Sequence, residues 1–150
     1  MTRKNMIALS LLLLCLSAAG FAQDKLGHLK SWDGKPTQEV NGRGKVTADF
    51  FALPEVRTPL RRLLRPTDYN LVTKAYGVGS PLKLFGDFLA TSMCRPHNCG
   101  DERAGLAINL TTGDMYVRMQ RGTKSRWIVS KGKASSDLPK EVQDYIGDQR

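Results

Sequence analysis

Histidine is scarce in this 150-residue chain, which carries only His28 and His97. Neither belongs to a His-Glu-x-x-His pair. There is also no Gly-x-Ser-x-Gly elbow and no phosphate-binding P-loop. The usual serine-nucleophile, zinc-hydrolase and nucleotide-hydrolysing layouts are therefore missing. Asp101 and Glu102 are adjacent, so on a strand they point to opposite faces and do not make a two-carboxylate hydrolase site. No second long apolar run follows the first twenty residues, which excludes a protein with several membrane spans. The repeating strand–helix rhythm of a Rossmann or TIM-barrel enzyme is absent too. Acidic residues are in the minority, 14 against 23 basic, for a net charge of +9. What remains is one domain's length of chain with ordinary hydrophobic (41%) and charged (25%) fractions, which points to a globular protein rather than a disordered one.

Residues 1–22 have the three parts of a cleavable export signal. Arg3 and Lys4 give a positive start, Met6 to Leu16 an apolar centre, and Gly20-Phe21-Ala22 small residues at the two positions a signal peptidase reads. The apolar run is shorter than the roughly 20 residues of a membrane span. Leu14 before Cys15 does not suit lipoprotein processing. Cleavage before Gln23 removes two basic and no acidic residues, leaving 21 basic and 14 acidic side chains, net +7. Cys15 leaves with the signal. Cys94 and Cys99 remain, an even pair bound for an oxidising compartment, where a short-range disulfide is the expected outcome.

Residues 23–45 read as an irregular lead-in, with Trp32-Asp33-Gly34-Lys35-Pro36 and Asn41-Gly42-Arg43-Gly44 rich in turn formers. The domain proper is expected over 46–150. Thr58 and Pro59 suit the cap and first position of a helix carrying Leu60, Leu63 and Leu64, stopped by Pro66. Thr67 or Asp68 can start a second helix with Leu71, Val72 and Ala75 inward and Gly77 past its end. From Pro81 the period becomes two. Strands are expected over 82–85, 88–93, 104–110, 114–120 and 126–130, with alternation clearest in Leu106, Ile108, Leu110 and in Met115, Val117, Met119. Gly86-Asp87, Thr112-Gly113-Asp114 and Gly122-Thr123-Lys124 supply hairpin links. A last helix has Ser136 or Asp137 as cap, Val142, Tyr145 and Ile146 inward, and Gly147 as stop. The expected fold is α+β, a single domain built on an antiparallel meander with flanking helices. Trp32, Trp127, Phe50 and Phe51 are expected in its core.

The densest chemistry is Cys94-Arg95-Pro96-His97-Asn98-Cys99, followed by Gly100. Paired cysteines would close a six-residue ring, for which the chain-entropy estimate is about 2 kcal/mol at most. The larger consequence is local. Pro96 restricts its own backbone and that of Arg95, so the ring projects the side chains of Arg95, His97 and Asn98 from a stiffened loop, which lowers the ordering cost of binding. Three readings of the ring compete. Zinc binding needs three or four ligands, and an oxidising compartment consumes the thiols first. A thiol oxidoreductase shows Cys-x-x-Cys at a helix start rather than this longer spacing. The third reading is a structural staple for a strand connection. None implies a metal or cofactor here.

In this stretch the sequence resembles the Ivy family, periplasmic inhibitors of vertebrate lysozyme, whose mark is Cys-Lys-Pro-His-Asp-Cys followed by Gly. The resemblance is strong over roughly residues 82–120. It implies a non-catalytic protein that works without a cofactor, plugging the substrate cleft of c-type lysozyme with a disulfide-closed loop whose histidine meets the catalytic carboxylates. Carried over by position, His97 is the inhibitory residue, Cys94 and Cys99 form the disulfide, and Pro96 shapes the loop. Arg95 stands for the family's lysine and keeps its charge. Asn98 stands for an aspartate and supplies no negative charge to the imidazole. A glycosidase holds two carboxyl groups about the scissile bond, and an imidazole can hydrogen-bond to both. The resemblance also allows a homodimer.

Arg57, Arg61 and Arg65 are spaced four apart with Arg62 beside them, and on one helix they would form a stripe. That stripe reads as a solvated face, or as a contact for anionic envelope polymers in a structural module. Nucleic acid is not expected of an exported chain without an aromatic–basic motif; Tyr116 and Arg118 sharing a strand face is thin support. Vertebrate c-type lysozymes are themselves basic, so a net charge of +7 gives no long-range attraction to them. A related muramidase, or a lytic transglycosylase of the same cell, is thus an alternative target.

Overall fold

The computed structural model describes residues 24–147; the expected export signal, 1–22, lies outside them. The core of the fold is the expected meander, β5 (Phe88–Cys94), β6 (Glu102–Asn109), β7 (Met115–Arg121) and β8 (Lys124–Val129), with every neighbouring pair antiparallel. Two short strands, β3 (Val78–Gly79) and β4 (Lys83–Phe85), pair with opposite ends of β5 and complete a six-stranded sheet. The two tightest turns, after Phe85 and after Arg121, open on Gly86 and Gly122, both at φ 55. A two-residue hairpin turn that begins at positive φ selects glycine at that position.

Strand alternation divides the sheet into two working faces. Leu89, Met93, Leu106, Ile108, Met115 and Val117 face the N-terminal half and bury against Leu26, Leu29, Phe50, Val56, Leu60 and Val72. The opposite face carries Ala90, Ala107 and Tyr116, which pack on Leu138, Val142 and Ile146 of the C-terminal segment. The result is α+β, with helical layers on both sides of one antiparallel sheet. Helix α3 (Lys140–Gly147) lies close to the strands because Gly105 sits beneath it. A methyl group there would overlap the backbone and side chain of Ile146. Phe50 and Phe51 are core residues, whereas Trp32 and Trp127 are only partly buried at its margins.

Several elements differ from expectation. Helix α1 is Pro54–Leu63, so Pro54 rather than Pro59 takes the first turn, and Pro59 lies inside the helix. The earlier start buries Val56 as well as Leu60. Each such aliphatic contributes roughly 1.5–3 kcal/mol, against about 3 kcal/mol for an interior proline. Helix α2 begins one residue early, at Pro66, and runs Pro66–Asn70 into a single π-helical turn, Leu71–Ala75. Because Pro139 biases Leu138 away from helical angles, α3 starts at Lys140. Ser135–Asp137 form a separate 3-10 turn instead of a cap. Residues 23–45, expected to be irregular, hold a 3-10 turn at Gly27–Trp32 with Leu29 in the core, and strand β1 (Gln38–Val40), which pairs with β2 (Val46–Asp49). Among the described residues no helix is long and apolar enough to cross a membrane.

Candidate functional site

Strands β5 and β6 end and begin across from each other, with Cys94 opposite Arg103. The connection between them is the Cys94–Cys99 ring. Its cysteines are joined in a disulfide, with their Cα atoms 4.9 Å apart. Within the ring, the Arg95 carbonyl accepts the Asn98 N–H at 3.0 Å. That bond closes a tight turn with Pro96 in the second position and His97 in the third. His97 has φ 64 and is the only non-glycine at positive φ among the described residues. A turn of this class ordinarily places glycine or asparagine there. A left-handed conformation costs an ordinary residue about 1–2 kcal/mol, so the surroundings must impose it.

Those surroundings are hydrogen bonds as well as the disulfide. The Asn98 carbonyl accepts from the N–H groups of Asp101 (3.2 Å) and Glu102 (2.9 Å), and Arg95 N–H donates to the Glu102 carbonyl at 3.0 Å. The Arg95 guanidinium turns back across the loop base to the Glu102 carboxylate, 2.9 Å away. A further bond, Gly122 N–H to the Asp101 carbonyl at 2.8 Å, ties the loop to the β7–β8 turn. On the other side the chain at Gly77 passes beside Pro96, and the preceding Tyr76 is buried in the core. Burial raises its hydroxyl above the ordinary tyrosine range, and the Glu102 carboxylate adds to this while Arg121 opposes it.

Arg95, Pro96 and His97 are exposed, and Asn98 is half-buried. The His97 imidazole makes no hydrogen bond or ion pair with any described residue. It stands at the apex of a braced loop with both ring nitrogens free for a partner. His28 behaves differently: its Nε2 lies 2.6 Å from Glu55 Oε1 and ties the N-terminal 3-10 turn to α1. That hydrogen bond holds the Glu55 carboxyl below its usual range.

The structure therefore brings together Cys94, Arg95, Pro96, His97, Asn98 and Cys99, but gives them unequal parts. Arg95 is spent on the loop's own base. Glu102, considered in the sequence only as half of a catalytic pair, is its partner. The clue was an acid just past the ring opposite a base just inside it. No three His, Cys, Asp or Glu side chains group as a metal site among the described residues. The arginine stripe is broken: Arg57 and Arg61 lie on α1, but the helix ends at Leu63 and Arg65 stands beyond it. Arg61 stacks over the Tyr69 ring at 5.1 Å. Tyr116 is buried under α3 and Arg118 lies against Gly147, so they offer no open binding face.

No curated protein and no solved structure matches the chain. A family model does, over residues 55–150, from the first turn of α1 through the loop, the meander and α3. The match covers well over half of the sequence, and the chain belongs to the Ivy family, inhibitor of vertebrate lysozyme.

Proposed function

We propose that the protein is a periplasmic inhibitor that enters the cleft of a c-type lysozyme with the Cys94–Cys99 loop and sets His97 against the catalytic carboxylates. The observation that carries this reading is His97 itself, exposed at the apex of the loop, held at φ 64 and without a hydrogen-bond or ion-pair partner among the described residues. Strain retained at an exposed polar residue fits a binding element shaped before its partner arrives. An imidazole can offer N–H donors to the two carboxyl groups that flank a scissile glycosidic bond. A carboxylate acceptor makes each such hydrogen bond stronger than a neutral one. Inhibition is then simple occupancy, with no bond made or broken and no cofactor.

Arg95 supports the loop from behind, because its guanidinium is committed to Glu102 at 2.9 Å. Asn98 contributes through its backbone carbonyl, which gathers two N–H groups of the following turn. Neither job needs the aspartate found in the resembling motif. A lytic transglycosylase or another muramidase is the second reading of the target. It is favoured by the net charge of +7 that follows removal of the export signal, 21 basic against 14 acidic side chains, which gives no long-range attraction to a basic enzyme.

The test is a turbidity assay with lysozyme and bacterial cell walls. The purified protein should block clearing, and His97→Ala should weaken the block far more than Lys25→Ala. Equal inhibition constants for the two variants would remove His97 from the mechanism.

A further inference from the structure

Three clefts share lining residues, and the first is lined by Gly77, which lies beside Pro96 of the loop. The first, about 680 Å³, opens between the β1–β2 hairpin and the π turn and is lined by Arg57, Arg61 and Lys74. The second, about 530 Å³, shares Lys74 with the first and adds Arg121. The third, about 900 Å³, shares Arg121 and Thr67 with the second and adds Arg65 and Lys124. The shared residues make them neighbours along one shallow-centred groove, with cations in each part.

Among the described residues two acids line this groove, and each has a partner, although Asp68 Oδ2 is buried without one. Asp49 accepts from Gln38 Nε2 and from the Phe51 N–H, and Asp68 is paired with Arg126 at 2.7 Å. Arg57, Arg65, Lys74 and Lys124 form no ion pair or hydrogen bond through their side chains with any described residue. Cations gathered without counter-charges among the described residues raise a positive potential over the surface they line.

We propose that this groove binds an extended anionic polysaccharide, a carboxylate- or phosphate-bearing chain, as a function separate from the inhibitory loop. The run of linked clefts fits a polymer better than a single small anion. A lipid surface meets cations on one flat or convex face, whereas the first and third clefts are recessed. Nucleic acid would be expected to stack bases on open aromatic faces, but Tyr69 lies under Arg61 and Tyr76 is buried. Hydroxyl groups of Thr67, Thr73, Thr123 and Ser125 interleave with the cations and suit sugar hydroxyls.

The experiment uses the full mature chain and polygalacturonate as probe, with phosphatidylglycerol vesicles and a single-stranded oligonucleotide as comparators. Binding to the polymer should fall steeply as salt rises. The double variant Lys74→Glu/Lys124→Glu should lose about tenfold or more in affinity, and the charge-matched Lys131→Glu/Lys140→Glu much less. Lysozyme inhibition should be the same for both variants, so a failed groove and a failed loop give different results. Equal loss of polymer binding in the two variants would overturn the proposal, because it would reduce the effect to net charge. So would tighter binding to the vesicles or the oligonucleotide than to the polymer.

Discussion

Replacing His97 by glycine should separate what holds the loop from what the loop does. His97 sits at φ 64, where a non-glycine residue is disfavoured by about 1–2 kcal/mol. Glycine removes that term but loses about 0.5–1 kcal/mol through the greater freedom of the unfolded chain. The balance is a stabilisation of about 0.5–1 kcal/mol, or a rise of a few degrees in Tm for a domain of this size. The imidazole makes no hydrogen bond, ion pair or ring contact with any described residue, so no polar interaction should offset the gain. Inhibition should move the other way. Losing one hydrogen-bonding group between charged partners costs about 1.5–3 kcal/mol, about tenfold to a hundredfold in the inhibition constant. Thermal unfolding and lysozyme titration on the same preparation read both effects. A His97→Gly variant less stable than the parent would refute the claim that the loop holds His97 against its backbone preference.

Cys94→Ser/Cys99→Ser should weaken inhibition while far-ultraviolet circular dichroism stays nearly unchanged, since so small a ring contributes about 2 kcal/mol at most; unaltered inhibition would make the disulfide unnecessary to the loop's shape. Gly105→Val should destabilise the fold by about 3 kcal/mol or more, measured by urea unfolding, because the added carbons meet the backbone of Ile146 as well as its side chain. Glu55 has its carboxyl held down by the hydrogen bond from His28, so it contributes stability above the unfolded carboxyl range, near about pH 4.3, and loses it as pH falls through the lower folded value. Glu55→Gln should therefore flatten the decline of Tm between neutral and acid pH, and an unchanged acid slope would contradict that pairing.

The meander was legible because its residues obey a period of two on faces that are both buried. Leu106 and Ile108 turn one way, Ala107 the other, and small or glycine residues mark the turns. The β1–β2 hairpin was not legible, since Val40 and Val46 are exposed and alternation there reports no core. Two prolines compete to begin α1, and the choice between them depends on the burial of Val56 against a sheet far along the chain. The loop was visible as a motif, and its cysteines as a pair. The left-handed backbone at His97 was hidden, because histidine does not announce that conformation as glycine does. The inward turn of Arg95 was hidden as well: its partner, Glu102, belongs to the next strand and meets it only once β5 and β6 pair.

The central claim is that the loop occupies the enzyme's substrate cleft, and competition tests it most directly. Binding of the protein to c-type lysozyme should be measured with the cleft free and with the cleft saturated by an N-acetylglucosamine oligomer. Occupancy of the cleft by the loop predicts that the apparent Kd rises linearly with oligomer concentration, by the factor one plus that concentration over the oligomer's own Kd. The same Kd with a filled cleft would contradict it.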